Sequence, residues 1–168
     1  MLLIVIPTPL QSVSAPLLIR PSTPADAQVI AGFNARLAQE TEHLQLDPTR
    51  LRTGVDAVLA DANKGAYWVA EAGGEVVGQL MITFEWSDWR NGFFWWIQSV
   101  YVRVDWRSRG VFKALYKHVR QQAKSRNDVC GLRLYVERDN QRARQLYQRI
   151  GLRATSYELY ESDFRIAR

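Results

Sequence analysis

Residues 93–136 read as an apolar strand, a short basic turn, an amphipathic helix and a second apolar strand, and this unit constrains the fold more than any other stretch. The first strand, FFWWIQSVYV, is rich in aromatic and β-branched residues. The helix carries Val111, Leu115 and Val119 on one side and Lys113, Lys117, Arg120 and Lys124 on the other. Two strands separated by a helix of that length fit a parallel crossover. An α/β domain built on a mixed sheet follows.

The rest of the chain supplies the other elements. Residues 17–19 read as a short first strand closed by Pro21. Thr23, Pro24 and Asp26 form a helix start, with Val29, Ile30, Phe33 and Leu37 recurring at helical spacing. A polar segment, QETEHLQLD, leads to a second helix over 48–62. Residues 66–72 and 75–86 read as a hairpin turning at Gly73-Gly74, and 88–92 as the loop before the long strand. After the crossover come a strand over 130–136, a helix over 140–150 stopped by Gly151, and a last strand over 152–160. The expected order is β-α-α-β-β-β-α-β-α-β, a single domain over 16–168 with helices on both faces of the sheet.

The opening MLLIVIPTPLQSVSAP is expected to be a flexible extension over 1–15. Its apolar run is short, lacks a preceding basic residue and is interrupted by Pro7. At 47% hydrophobic and 23% charged the chain is not a disordered one, and no apolar window is long enough to span a membrane. The single Cys130 excludes an internal disulfide, fits a reducing cytoplasm, and reads as a small buried hydrophobe. His43 and His118 read as surface residues whose spacing suggests no metal site. The net charge of +5 is concentrated between Arg103 and Arg153. Nucleic acid, a polyphosphate cofactor or a solvated surface would each account for it.

The segment YVRVDWRSRGVFKALYKHV, residues 101–119, carries the chemistry. A helix that opens straight after a strand presents unpaired N–H groups and the positive end of its dipole, a setting suited to a pyrophosphate. Gly110 permits close approach, and Arg107, Arg109 and Lys113 add charge. The plainer alternative is an ordinary junction with solvated arginines. In LRLYVERDNQRARQLYQRIGL, residues 132–152, Asn140, Ala143, Leu146, Tyr147 and Ile150 share one helical stripe, a pattern that a core face also produces.

Together the two segments resemble the GNAT superfamily of N-acetyltransferases. Arg107-Ser108-Arg109-Gly110-Val111-Phe112 fills the family's Q/R-x-x-G-x-G/A motif except at Phe112. Asn140, Ala143, Leu146, Tyr147 and Gly151 fill its N-x-x-A-x-x-L-Y-x-x-x-G-F motif, with Leu152 for the Phe. The resemblance implies acetyl-CoA as co-substrate. Backbone groups of Val100 and Val102 would pair with its pantetheine arm between strands that splay apart near Val102 and Val136. N–H groups from Arg107, Ser108, Arg109, Gly110, Val111, Phe112 and Lys113 would hold the pyrophosphate, and Asn140 would hydrogen-bond the cofactor. Tyr147 would protonate the leaving thiolate.

The general base is left open. The central strand contains no acid, and Tyr135 stands where one subgroup has Glu. Glu85 is the first candidate base, Glu42 the second, and a water chain is an equal alternative. Trp86 and Trp89, beside the carboxylates of Glu85 and Asp88 and aided by Trp95 or Trp96, would form a wall for a cationic amine, and Gln98 and Ser99 would orient it. A hairpin whose tryptophans cover the sheet is the bland alternative. The expected protein is a cytoplasmic N-acyltransferase acting on a small-molecule or peptide amine, with a homodimer left open and neither nucleic acid nor membrane as partner. A catalytically silent acyl-CoA sensor is the second reading, and a basic nucleic-acid-binding domain the third.

Overall fold

Thr23 and Asp26 close the entry to the first helix on each other. The Thr23 N–H donates to Asp26 Oδ2 at 2.7 Å, and the Asp26 N–H donates to Thr23 O at 2.9 Å. Arg20 donates to both carboxylate oxygens of the buried Asp26, at 2.8 and 2.9 Å. That pairing holds the carboxyl below its ordinary pKa in spite of burial. A short 3-10 turn then feeds α1 (Ala27–Glu42), and Asp47 caps α2 (Pro48–Ala60) by accepting from the Arg50 N–H at 2.6 Å. The computed structural model describes residues 16–165; the expected extension over 1–15 lies outside them.

The strands are β1 (Leu18–Pro21), β2 (Ala66–Ala72), β3 (Glu75–Ser87), β4 (Gly92–Val102) and β5 (Val129–Leu134). They lie in sequence order in one sheet, antiparallel except for the parallel pair β4 and β5. β2 and β3 turn back at Gly73 and Gly74, whose φ values of 60° and 82° are those of a type I′ hairpin. α3 (Val111–Lys124) makes the crossover between β4 and β5 that the segment's length dictates.

Alternation along β2 shows which helices cover which face. Tyr67 and Val69 join Ala27, Ile30, Ala31 and Val55 in one buried cluster, with Leu51 and Val58 packed against it. Trp68, between them in sequence, points the other way and packs its ring 4.5 Å from that of His118 in α3. So α1 and α2 lie on one face and α3 on the other, as expected. Val111, Leu115 and Val119 are buried on the α3 side.

By its internal contacts the chain forms two units, one running through Tyr135 and one beginning at Val136. The second contains α4 (Gln141–Arg149). Gly151 ends that helix in a Schellman arrangement: its N–H donates to Gln148 O at 3.1 Å, and the Leu152 N–H donates to Tyr147 O at 3.0 Å.

Three expectations are corrected. Residues 152–160 form no strand; Tyr157, Leu159 and Tyr160 are exposed, and none of the described strands pairs with the segment. A strand exists only through a ladder, so a segment without a partner stays irregular. Cys130 is exposed, at the point where the β4–β5 register slips between Val129 and Gly131. His118 is half-buried, its ring packed on Trp68 and its Nε2 out of reach of solvent. Among the described residues no helix is long and apolar enough to cross a membrane.

Candidate active site

The second half of β4 is free of β5. The parallel ladder ends at Ile97 and Leu134, whereas β4 continues to Val102. Its pairing with β3 fixes which backbone groups face the open edge. Tyr101 lies opposite Gln79, Val102 lies opposite Gly78, and the Arg103 N–H donates to Val77 O at 2.9 Å. Antiparallel alternation then points the N–H and C=O of Tyr101 toward β3, and those of Val102 and Val100 toward the open side. These are the two residues expected to pair with a pantetheine arm. Between Tyr101 and Gln98 the register slips, so Leu80 faces both Ser99 and Val100. Ser99 takes φ 48°, and β4 bulges there.

Beyond β4 a 3-10 turn leads through residues 107–110 into α3. Ser108 and Gly110 both have positive φ, 64° and 82°. The helix ladder begins with the Ala114 N–H donating to Gly110 O at 3.0 Å, so the N–H groups ahead of Ala114 are not used by it. A Cβ added to Gly110 would meet nothing within 4 Å. Phe112, the departure from the family motif, is half-buried and stacks along the helix on Tyr116, centroids 6.2 Å apart. Arg109 lies over the Trp106 ring at 5.2 Å, and Lys113 is exposed.

Arg107 is more engaged than the sequence suggests. Its Nε donates to Val102 O at 2.9 Å, its Nη2 meets Glu40 Oε2 at 2.6 Å, and its guanidinium lies 5.4 Å from the Tyr101 ring centroid. Glu40 also accepts from the Tyr101 hydroxyl at 3.0 Å. Sequence reasoning missed Glu40 and chose Glu42. The signal was present in the helix stripe: Phe33 packs on Tyr101 at 4.9 Å, and Glu40 is two turns further on the same side. Glu42 is the exposed last residue of α1.

Glu85 does not sit as an acceptor of protons. Desolvation pushes its pKa up, but hydrogen bonds from Trp96 Nε1 and Arg133 outweigh this and hold it below the ordinary value. Arg133 Nη1 reaches both carboxylate oxygens, at 2.8 and 2.9 Å, and the guanidinium lies 3.7 Å from the centroid of the Phe94 ring. Trp96 also stacks on Tyr135 at 4.3 Å. Of the expected wall, Trp96 does meet Glu85, but Trp86 does not stand beside it, because neighbouring residues of a strand point to opposite faces, and Trp89 is exposed. Trp86 packs on Phe93 at 4.9 Å, in the cluster that holds Phe84 and Trp95. Gln98 Nε2 donates to Thr83 Oγ1 at 2.7 Å, tying it to β3.

In the second unit Asn140 is the N-cap of α4, its Oδ1 accepting from the Ala143 N–H at 3.0 Å. That leaves the amide's NH₂ as the group available to a ligand. Burial pushes the Tyr147 phenol above its ordinary pKa, so it is protonated at neutral pH. The basic excess is partly internal: Arg103, Arg107, Arg126, Arg133 and Arg138 each have a carboxylate partner.

Comparison with curated protein sequences finds no match. Among solved structures, a possible acetyltransferase from Clostridium difficile is 41% identical, with a TM-score of 0.83, covering 89% of this chain and 99% of that one. A predicted acetyltransferase from Clostridium acetobutylicum, solved with acetyl-CoA, shares the fold at 19% identity and TM-score 0.72, covering 88% and 96%. An aminoglycoside N-acetyltransferase solved with CoA shares it at 14% identity and TM-score 0.74, covering 92% and 99%. The family profile "Acetyltransferase (GNAT) family" matches residues 34–152, from the middle of α1 to the end of the Schellman turn. With well over half of its length matched, this chain belongs to the GNAT family of acetyltransferases.

Proposed function

We propose that the protein transfers an acetyl group from acetyl-CoA directly to a primary amine. The observation that carries this reading is the continuity of an open strand edge with an open helix start. Val100 and Val102 present backbone groups to the side that β5 leaves unpaired, with Arg107 Nε already donating to the Val102 carbonyl, and the same chain then runs through the turn at Gly110 into the start of α3. The first offers a hydrogen-bonding track to an extended amide chain, and the second a site for a diphosphate. The side chain at 112 stacks along the helix on Tyr116.

Acetyl-CoA supplies the acyl thioester. The protein's part is to hold that group, to place a neutral amine against the acyl carbon and to manage two protons. N–H groups of residues 108–113 bind the diphosphate, the Arg107 N–H being taken by Val104 O at 3.2 Å, with Arg109 and Lys113 adding charge. Asn140 donates to the cofactor through its NH₂. When the carbon–nitrogen bond forms and the carbon–sulfur bond breaks, Tyr147 gives its proton to the departing sulfur. The amine's proton leaves through water: Glu85 is committed to Arg133 and Trp96, so we assign it to holding the β3–β5 surface together.

Release of free thiol from acetyl-CoA, followed over a panel of primary amines, tests the reading. Thiol release that depends on one class of amine supports it. CoA binding without release from any amine would turn the protein into a silent acyl-CoA binder. In the same assay Glu85→Gln should slow turnover less than tenfold, against the roughly 100-fold or more that a general base contributes, and leave the acid limb of the pH profile in place. Glu85 is held below its ordinary 4.5, so it is ionised across the neutral range and takes up protons only in acid. An acid limb that vanishes with Glu85→Gln would restore it as the base.

A further inference from the structure

We propose that Gln79, through Asn34 and Tyr67, is a positioning residue that pins the β4 bulge at Ser99 and so aims the backbone groups of Val100 and Val102 at the open edge. The proposal deepens the acyltransferase reading and rests on it for the identity of the ligand.

Gln79 is fully buried in β3, an unusual place for a carboxamide. Its Nε2 donates to Asn34 Oδ1 at 2.7 Å and to the Ser99 carbonyl at 3.2 Å. Both partners are acceptors, so the amide can be placed only with its NH₂ toward them. Asn34, in α1, passes the connection on by donating from Nδ2 to the Tyr67 hydroxyl at 2.9 Å, and that hydroxyl also meets the Ser99 side chain. One chain of polar groups thus runs from α1 through β2 and β3 and holds Ser99 by its carbonyl and its hydroxyl.

Two features show that this network serves more than packing. Ser99 is held at φ 48°, a conformation disfavoured for a residue with a side chain, so something must over-determine it. In addition, Gln79 Oε1 is buried with no hydrogen-bond partner. A buried carbonyl left unpaired is a cost, and an apolar side chain of the same shape would avoid it. What the glutamine adds is the pair of donated bonds, and one of them goes to the bulge. The register shows the consequence. Without the extra residue at 99, β4 beyond it would be shifted by one position, and the groups of Val100 and Val102 would turn away from the open side.

The test compares full-length wild type, Gln79→Met, Ser99→Gly and the double variant by amide hydrogen exchange and by calorimetric titration with CoA. Gln79→Met is expected to speed exchange of the Tyr101 amide at least tenfold relative to the Val69 amide of β2, and to weaken CoA binding about tenfold. Ser99→Gly in the same chain should restore most of both, because glycine keeps the positive φ without being held. Uniformly faster exchange across all strands, or a double variant no better than Gln79→Met, would overturn the pin and leave Gln79 as core filling. Should Gln79→Met not fold, Asn34→Ala removes the link to α1 from a half-buried position and is read the same way. A wild type that takes up no CoA would sink the acyltransferase reading alone, since the exchange arm still decides the pin.

Discussion

Tyr147→Phe is expected to lower kcat by roughly 100- to 10,000-fold while leaving the Kd for acetyl-CoA within about threefold of wild type, the pattern for loss of a general acid. The substitution keeps the ring on the α4 stripe and removes only the hydroxyl. Burial raises the phenol above its ordinary 10.0, so the acid form is the one present at every pH at which the protein would work. The sign is therefore fixed: deprotonation of Tyr147 can depress turnover only above about pH 10, and no alkaline fall near neutrality should come from it. Steady-state rates with a fixed amine, set beside calorimetric affinity for acetyl-CoA, separate the two outcomes. Equal losses in kcat and in affinity would recast Tyr147 as packing for α4.

The elements whose signals are local were legible in the sequence. Gly73-Gly74 demanded a tight hairpin, Thr23-Pro24 with Asp26 demanded a helix start, and Gly151 demanded a helix stop; all three lie where expected. The crossover from β4 to β5 followed from its length. What failed depended on partners elsewhere in the chain. Residues 152–160 were read as a last strand, but a segment's own residues supply no ladder partner. Glu85 and Trp86 were read as one surface because they are adjacent, and adjacency in a strand places them on opposite faces. Arg107 was read as free charge because its partner Glu40 is 67 residues away in sequence. The bulge at Ser99 had no sequence signal of its own, since serine is not a residue that announces positive φ.

Gly110→Val is expected to weaken CoA binding by about 100-fold or more, and Gly74→Val to leave it unchanged. The two glycines share a φ of 82°, and a Cβ at either one would meet nothing within 4 Å. Each substitution therefore brings a similar backbone penalty, about 1–2 kcal/mol for a side chain in the left-handed region. They differ in where the new side chain stands. At Gly74 it projects from the β2–β3 hairpin turn. At Gly110 it projects at the start of α3, beside the N–H groups that precede the first helical bond. Two hydrogen bonds to a charged ligand, at about 1.5–3 kcal/mol each, amount to a factor of at least about 100 in Kd. Thermal melts of both variants with and without CoA decide the matter. Matched losses in Tm without ligand, with the CoA-dependent rise abolished only in Gly110→Val, place the diphosphate at this turn. A CoA-dependent rise that survives in Gly110→Val would move the anion site away from α3, and with it the assignment of residues 108–113.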